Sequence, residues 1–358
     1  MKITLNSKDK SIFAEILKTK EHNICAAEIY IDYLTNYYNE ISYAKEENDF
    51  TKRFLNVLEI NPNDKEFAEI NQDCKLTIID CLNPNSYLNN EYYKLIKNIK
   101  GKEADCEFMM LQYNAFEGFV YNELEIKQNT FSEHTPLGYF EVDFPYPAVV
   151  KNGQIWMSII PHEIETMKTP IQNAKGRVLV LGLGLGYYLF NILNKKEVTS
   201  VDVVELDNSI ISLFNKYLIN KFPHQEKINI IHADGIEYLK KTNIKYDYVF
   251  SDIWHNVGDG EMLYLKIKAN ENRFPSATFD YWIETSILSM LRRQTLTVFE
   301  EISNGSKDSD YQKAKNDNDE IINRIYKYLK STDYNSIDAI KSSLSDANLK
   351  EMAKHLYK

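Results

Sequence analysis

From residue 174 onward the apolar and polar positions fall into alternating blocks. "RVLVLG" (177–182) is an unbroken apolar run that ends in glycine, and "YYLFNILNK" (187–195) reads as a helix. "VTSVDVVEL" (198–206) and "DNSIISLFNKYL" (207–218) repeat the pair, as do "INIIHA" (228–233) and "DGIEYLKK" (234–241), before a fourth strand in "YDYVFSDI" (246–253). Unbroken apolar strands are those buried on both faces of a parallel sheet. Their alternation with helices predicts an α/β, Rossmann-like doubly wound sheet with right-handed crossovers over residues 173–302.

The flanks have other rhythms. Residues 1–102 read as helical: Ile24, Ala27, Ile31, Leu34, Tyr38 and Ile41 recur at three- and four-residue steps, and "FTKRFLNVL" and "YYKLIKNI" suggest further helices. The heptad-like spacing leaves a homodimer open, but so short a run favours a face packed within the chain. Residues 103–172 form a β-rich hairpin element: "CEFMMLQYNAF", "GYFEVDF" and "GQIWMSII" are strand-like, whereas "DFPYPAVVKNGQ" carries turn signals, two prolines and then Asn152-Gly153. After residue 260 the strands stop, and "TFDYWIETSILSMLRRQTLTVFEEI" (278–302) reads as one long helix. Residues 303–358 form a helical cap with apolar faces Ile322, Ile325, Tyr326 and Leu329, then Ile337, Ile340 and Leu344, then Leu349, Met352 and Leu356. No fifth to seventh strand is visible after Asp252, so strands from residues 103–160 are the candidates for completing the sheet.

Composition narrows the class. The chain has 358 residues, 44% hydrophobic and 26% charged, which is ordinary for a globular protein. It opens with no leader-like run and has no apolar stretch of roughly 18 residues, so a cytoplasmic protein without a membrane span is expected. A net charge of −10 disfavours nucleic acid and suits a small-molecule substrate. Cys25, Cys74, Cys81 and Cys106 form no CxxC pair, which points to buried free thiols and no metal.

The candidate chemistry begins at Gly182, Gly184 and Gly186. Glycines at a strand-to-helix turn let a ligand meet the backbone, and the helix N-terminus offers free N–H groups. The spacing is GxGxG, not the GxGxxG of dinucleotide folds. Glu205 lies at the end of the second strand, where a carboxylate can take both hydroxyls of a ribose. Asp234 and Gly235 end the third strand, within reach of an adenine amino group. Three features in register predict an adenosine-type ligand.

These residues resemble the cofactor half of a class I S-adenosylmethionine-dependent methyltransferase, "VLVLGLGLG" being similar to its first motif and "VDVVELD" to its acidic one. Within that superfamily the likeness is greatest to the spermidine synthase branch, through "KINIIHADGIEYL", "YDYVFSDI" and, loosely, "KNGQIWMSIIPHEIETM". The resemblance implies S-adenosyl-L-methionine as cofactor, held by Gly182, Gly184, Gly186, Glu205, Asp234, Gly235, Asp252 and Trp254. It covers less than half of the chain.

The fourth strand ends in "SDIWHN", which aims Asp252, Trp254, His255 and Asn256 at the reacting end of the ligand. Spermidine synthases carry a second Asp three residues after the first; His255 stands there. Asp252 and His255 are therefore the candidate catalytic pair, His255 as a base, set against a loop-bonding role. Tyr187, Tyr188, His162, Glu163, Tyr281, Trp282 and Glu284 are weaker candidates; for His162 and Glu163 a surface helix start after Pro161 is preferred. The leading expectation is a methyltransferase acting on a small molecule, an amine among the candidates. The alternatives are a spermidine synthase-like aminopropyltransferase and a non-catalytic S-adenosylmethionine-binding module.

Overall fold

A computed structural model describes residues 1–38, 50–311 and 314–357. The labelled elements are helices α1 (Ser7–Asp32), α2 (Lys65–Cys74) and α3 (Glu91–Ile96), then strands β1 (Cys106–Tyr113), β2 (Phe144–Lys151) and β3 (Gln154–Ser158). Next come α4 (Pro161–Thr166), β4 (Gly176–Leu181), α5 (Tyr187–Leu193), β5 (Val198–Glu205), α6 (Asn208–Tyr217), β6 (Ile228–His232), α7 (Gly235–Lys241) and β7 (Tyr248–Ser251). The chain continues through α8 (Val257–Lys268), β8 (Thr278–Tyr281), α9 (Glu284–Ser303), α10 (Asp317–Leu329), α11 (Ile337–Ser343) and α12 (Asp346–Leu356).

The central sheet has the order β6-β5-β4-β7-β8, with every pair parallel. The chain builds outward from β4 to β6, then returns to β7 on the other side of β4. The strand order therefore reverses at β4, and a crevice opens beyond the carboxyl ends of the strands there. Side chains alternate across the sheet. Leu179, Leu181, Val204 and Val249 face a core shared with α8, α9, the start of α1 and the C-terminal helices. Val178, Val180, Val201, Val203 and Phe250 face a second core with α3, α5, α6 and the hairpin strands.

Several expectations fail here. "TFDYWIE" is not helical: Thr278–Tyr281 pairs with β7, and α9 starts only after Ile283, which has a left-handed φ of 50°. Strands from residues 103–160 do not complete the parallel sheet; β1, β2 and β3 belong to a separate antiparallel sheet. Among the described residues no sixth or seventh strand joins the central one. Pro145 and Pro147 sit inside β2 rather than in a turn. Their carbonyls accept from the Tyr93 hydroxyl (2.6 Å) and the Ile159 N–H (2.9 Å), so their ring nitrogens face away from the β1 ladder. Asn152-Gly153 does join β2 to β3, with φ of 51° and 80°, the positive pair of a tight hairpin turn.

The buried face of α1 is also not the one the apolar spacing indicates. Ile31 is 63% exposed and Ile24 and Ala27 are half-buried, while Lys20 and Asn23 are buried. Both polar residues are satisfied: Lys20 Nζ lies 2.6 Å from Glu300, and Asn23 donates to the Phe131 carbonyl and accepts from Glu133 N–H. Ile41 lies outside the described residues. Of the cysteines, Cys74 and Cys106 are buried, Cys25 is half-buried and Cys81 is exposed, so the buried-thiol expectation holds for two of the four. No helix among the described residues is long and apolar enough to cross a membrane, and none of their His, Cys, Asp and Glu side chains group as a metal site.

Candidate active site

The glycine turn closes β4 against β7. Gly182 has φ +93°, and a Cβ there would stand 1.9 Å from the Asp252 carbonyl oxygen. Only glycine lets the two strand exits touch. At Gly186 (φ +81°) a Cβ would meet the rings of Phe222 and Phe214 at 2.8 and 2.9 Å, so this glycine seats the start of α5 on aromatic packing. Gly184, also left-handed, has open space: its nearest neighbour is Met157 Sδ at 4.0 Å.

Two cavities meet at this turn. The outer one, about 680 Å³, is lined by Gly182, Gly184, Glu205, Asp234, Gly235 and Asp252, among others. The inner one, about 370 Å³, is lined by His162, Glu163, Tyr187, Tyr188, Asp252 and Trp282. Trp156, Met157, Gly182, Asp252, Trp254 and His255 border both. The outer volume suits a nucleoside-sized ligand and the inner one a smaller group.

In the outer cavity Glu205 accepts from the Leu183 N–H (2.9 Å) through one oxygen and from the Asp207 N–H (2.7 Å) through the other. This ties the end of β5 to the glycine turn. Asp234 is exposed and caps α7, accepting from the Glu237 N–H at 2.8 Å. Strand β3 roofs the cleft. Lys151, just before the hairpin turn, pairs with Asp207 and lies 4.9 Å from the Trp156 ring.

The inner cavity concentrates perturbed acids. Asp252 is half-buried between the two cavities, and its carboxyl is pushed up to about 7, first by loss of water and then by repulsion from Glu205. Glu163 projects from α4 into the same space; burial raises its carboxyl well above the ordinary value, and Asp252 raises it further. Burial pulls the His162 imidazole down to about 4, leaving it neutral near pH 7. The His162 ring meets Trp282 edge-on at 5.9 Å, and the Trp282 indole donates to Thr166 Oγ1 at 3.0 Å. His162 and Glu163 thus do begin a helix after Pro161, but they line the cavity and not the outer surface.

The remaining candidates divide. Trp254 is buried; its indole nitrogen has no hydrogen-bond partner among the described residues, and its ring fills the space a Cβ on Gly260 would need. His255 is exposed at the rim, where its Nδ1 lies 3.1 Å from Asp259 and its ring meets Trp156 at 4.7 Å. Asn256 forms the capping box of α8 with Asp259. Tyr188 stacks on Phe250 at 4.1 Å, and the Tyr187 hydroxyl accepts from Asn90 at 3.1 Å; both rings border the inner cavity. Tyr281 and Glu284 face away, into a cluster with Glu271, Lys268 and Lys350. Trp156 was not foreseen as a site residue. Its signal lay in "GQIWMSII", which reads only as a strand until the hairpin is folded over the sheet.

The family model "Spermine/spermidine synthase domain" matches residues 161–272, from α4 past α8. A polyamine aminopropyltransferase of Clostridium botulinum (strain Eklund 17B / Type B) is 27% identical over 163 residues, 43% of this chain and 56% of that protein. One from Methanocaldococcus jannaschii is 37% identical over 91 residues, 25% of this chain and 31% of its own. The chain thus spans between about a third and just over half of these relatives. The crystal structure of spermidine synthase from Thermotoga maritima is 18% identical, with a TM-score of 0.31, covering 41% of this chain and 55% of that one. These findings overturn the leading sequence expectation. The relatives are named for aminopropyl transfer, not methyl transfer, and nothing supports S-adenosyl-L-methionine itself as the cofactor.

Proposed function

We propose that the chain is a transferase that moves an aminopropyl group from decarboxylated S-adenosylmethionine to an amine. The observation that carries this reading is the pair Asp252 and Glu163. Two half-buried carboxyls share an aromatic-walled cavity directly behind the glycine turn, inside the segment that matches the spermine/spermidine synthase domain. Carboxylates among indole and phenol rings attract an ammonium and little else.

In this reading the 173–302 segment holds the donor. Gly182, Gly184 and Gly186 admit it to the backbone, with Glu205 at the ribose, Asp234 and Gly235 at the adenine, and Trp254 beside the sulfonium. The 103–172 segment shapes the acceptor side through Trp156, His162 and Glu163, and segments 1–102 and 303–358 pack outside it. The acceptor reaches the site as an ammonium and attacks only as a free amine. Asp252, with its carboxyl near 7, takes the proton. The nitrogen lone pair then displaces the sulfonium: the new C–N bond forms on the propyl carbon as its C–S bond breaks, and 5′-methylthioadenosine leaves. Glu163 supplies from α4 the second carboxylate that "DIWH" lacks, while His255 serves the rim.

The test incubates the full chain with decarboxylated S-adenosylmethionine and a panel of diamines and polyamines, and follows methylthioadenosine by chromatography. Release that depends on an added amine is expected. No release with any amine, under conditions where calorimetry shows the donor bound, would refute the reading.

A further inference from the structure

Helix α3 lines neither cavity, and it lies outside the 161–272 match. Yet three residues at its start, in "NEYY" (90–93), reach both elements that bound the cleft. Tyr92 is fully buried and donates its hydroxyl to the Leu185 carbonyl, in the middle of the glycine turn. Asn90 donates from Nδ2 to the Tyr187 hydroxyl at 3.1 Å, at the first residue of α5. Tyr93 donates to the Pro145 carbonyl of β2, the strand that carries β3 over the cleft.

The local sequence stiffens these ties. Asn90 Oδ1 caps α3, accepting from the Tyr92 N–H at 2.9 Å and the Tyr93 N–H at 3.1 Å. One side chain therefore fixes both the helix start and the link to Tyr187. The Tyr92 ring packs on Tyr187 (5.6 Å), Phe190 (5.2 Å) and Phe222 (6.0 Å), and Phe222 is the ring that a Cβ on Gly186 would strike. Burial holds the Tyr92 phenol far above its ordinary range, so its hydroxyl stays a donor.

The turn needs such support. Gly182, Gly184 and Gly186 all have positive φ, and glycine loses more freedom than any other residue when it is ordered. The Gly184 and Leu185 N–H groups have no partner among the described residues. They are the donors that the turn can offer a ligand, and they serve only if the backbone is held still.

We propose that α3 is a strut between the floor and the roof of the cleft, and that Tyr92 is a positioning residue for the nucleoside bound at the glycine turn. The proposal rests on the reading of the outer cavity as the donor site.

Calorimetry of the full chain with 5′-methylthioadenosine, well below the unfolding temperature, compares the parent with three variants. Tyr92→Phe removes one hydroxyl and keeps the ring. Asn90→Ser keeps a cap but is too short to reach Tyr187. Tyr246→Phe is the control: Tyr246 is also buried, and its hydroxyl donates to Asp202 at 2.8 Å from just ahead of β7, at the end of the sheet away from the crevice. Hydrogen exchange without ligand follows residues 182–190 in the same proteins. Tyr92→Phe should weaken nucleoside binding about tenfold and Asn90→Ser about threefold, and both should speed exchange in 182–190. Tyr246→Phe should lower Tm and leave both readings unchanged. A Tyr92→Phe variant that loses Tm but keeps the parent's affinity and exchange overturns the strut. So does a Tyr246→Phe variant that weakens the nucleoside as much as Tyr92→Phe. A parent that binds no nucleoside refutes the donor reading and, with it, the role given to Tyr92. Weakened binding as expected, with no transfer to any amine, supports the strut and refutes the transfer reading alone. If Tyr92→Phe fails to fold, Asn90→Ser carries the test.

Discussion

Replacing Asp252 by Asn should make the protein more stable, and more so as pH rises. Folding moves this carboxyl from its ordinary 3.8 up to about 7, first because it loses water and second because Glu205 repels its charge. Each pKa unit is about 1.36 kcal/mol, so the ionised side chain costs the fold on the order of 4 kcal/mol. The sign follows from linkage. Below about pH 4 the group is protonated in both states and costs nothing. Between about pH 4 and 7 the unfolded chain releases its proton while the folded one holds it, and the penalty grows. Above about pH 7 it is constant. Asn carries no charge at any pH, and it also relieves the repulsion acting on Glu163. Urea unfolding of parent and variant, followed by circular dichroism from pH 4 to 8, reads the difference. The gap should widen through pH 7 and then level off. Parallel stability profiles across the range would refute the claim that a desolvated Asp252 charge is held in the cleft. A bound polyamine should shrink the gap, because an ammonium offsets the same penalty.

Other outcomes follow from the same geometry. Gly182→Ala forces a Cβ onto the Asp252 carbonyl at a left-handed φ and should cost about 2–5 kcal/mol of unfolding free energy; a loss under 1 kcal/mol would mean that the strand exits separate easily. Glu205→Gln weakens the acceptor for the Leu183 and Asp207 N–H groups, and calorimetry should show the donor bound about 10- to 100-fold more weakly. In initial-rate assays Asp252→Asn should lower kcat by about 10²–10⁴, whereas His255→Asn, at the exposed rim, should cost under about tenfold; the reverse order would assign the base to His255.

Legibility in the sequence followed the range of the interactions. β4, β5 and β7 were readable as apolar runs buried on two faces, and β6, a half-buried edge strand, from its place in the alternation; their strand-end residues arrive at one crevice by topology alone. β8 was not. Phe279, Trp282, Ile283 and Ile287 have helical spacing, and the break between strand and helix is Ile283, whose left-handed backbone no residue type announces. The buried face of α1 was misread because Lys20 and Asn23 are buried with partners 280 and 108 residues away. Glu163 belongs to the same class: its environment exists only after α4 is folded beneath the hairpin. Trp254 and His255 are neighbours in the chain, yet one is buried and the other lies at the rim. Position within a motif therefore did not separate a cavity wall from a rim residue.

The packing of α1 bears on how the chain acquires this form. Leu5, Phe13 and Ile16 share a core with Leu296, Phe299, Ile337 and Ile340, and Ile3 bridges to Tyr334. Helix α1 thus finds these partners only after residues 296–340 have been made. Until then its apolar side is uncovered, and closing so long a loop is slow. Assembly of the parallel sheet should therefore run ahead of the docking of the two ends. That late step also sets Ala27 and Ile31 of α1 opposite α9 and α10 across one groove, so this side of the molecule would be the last to mature and the first to open under mild denaturant.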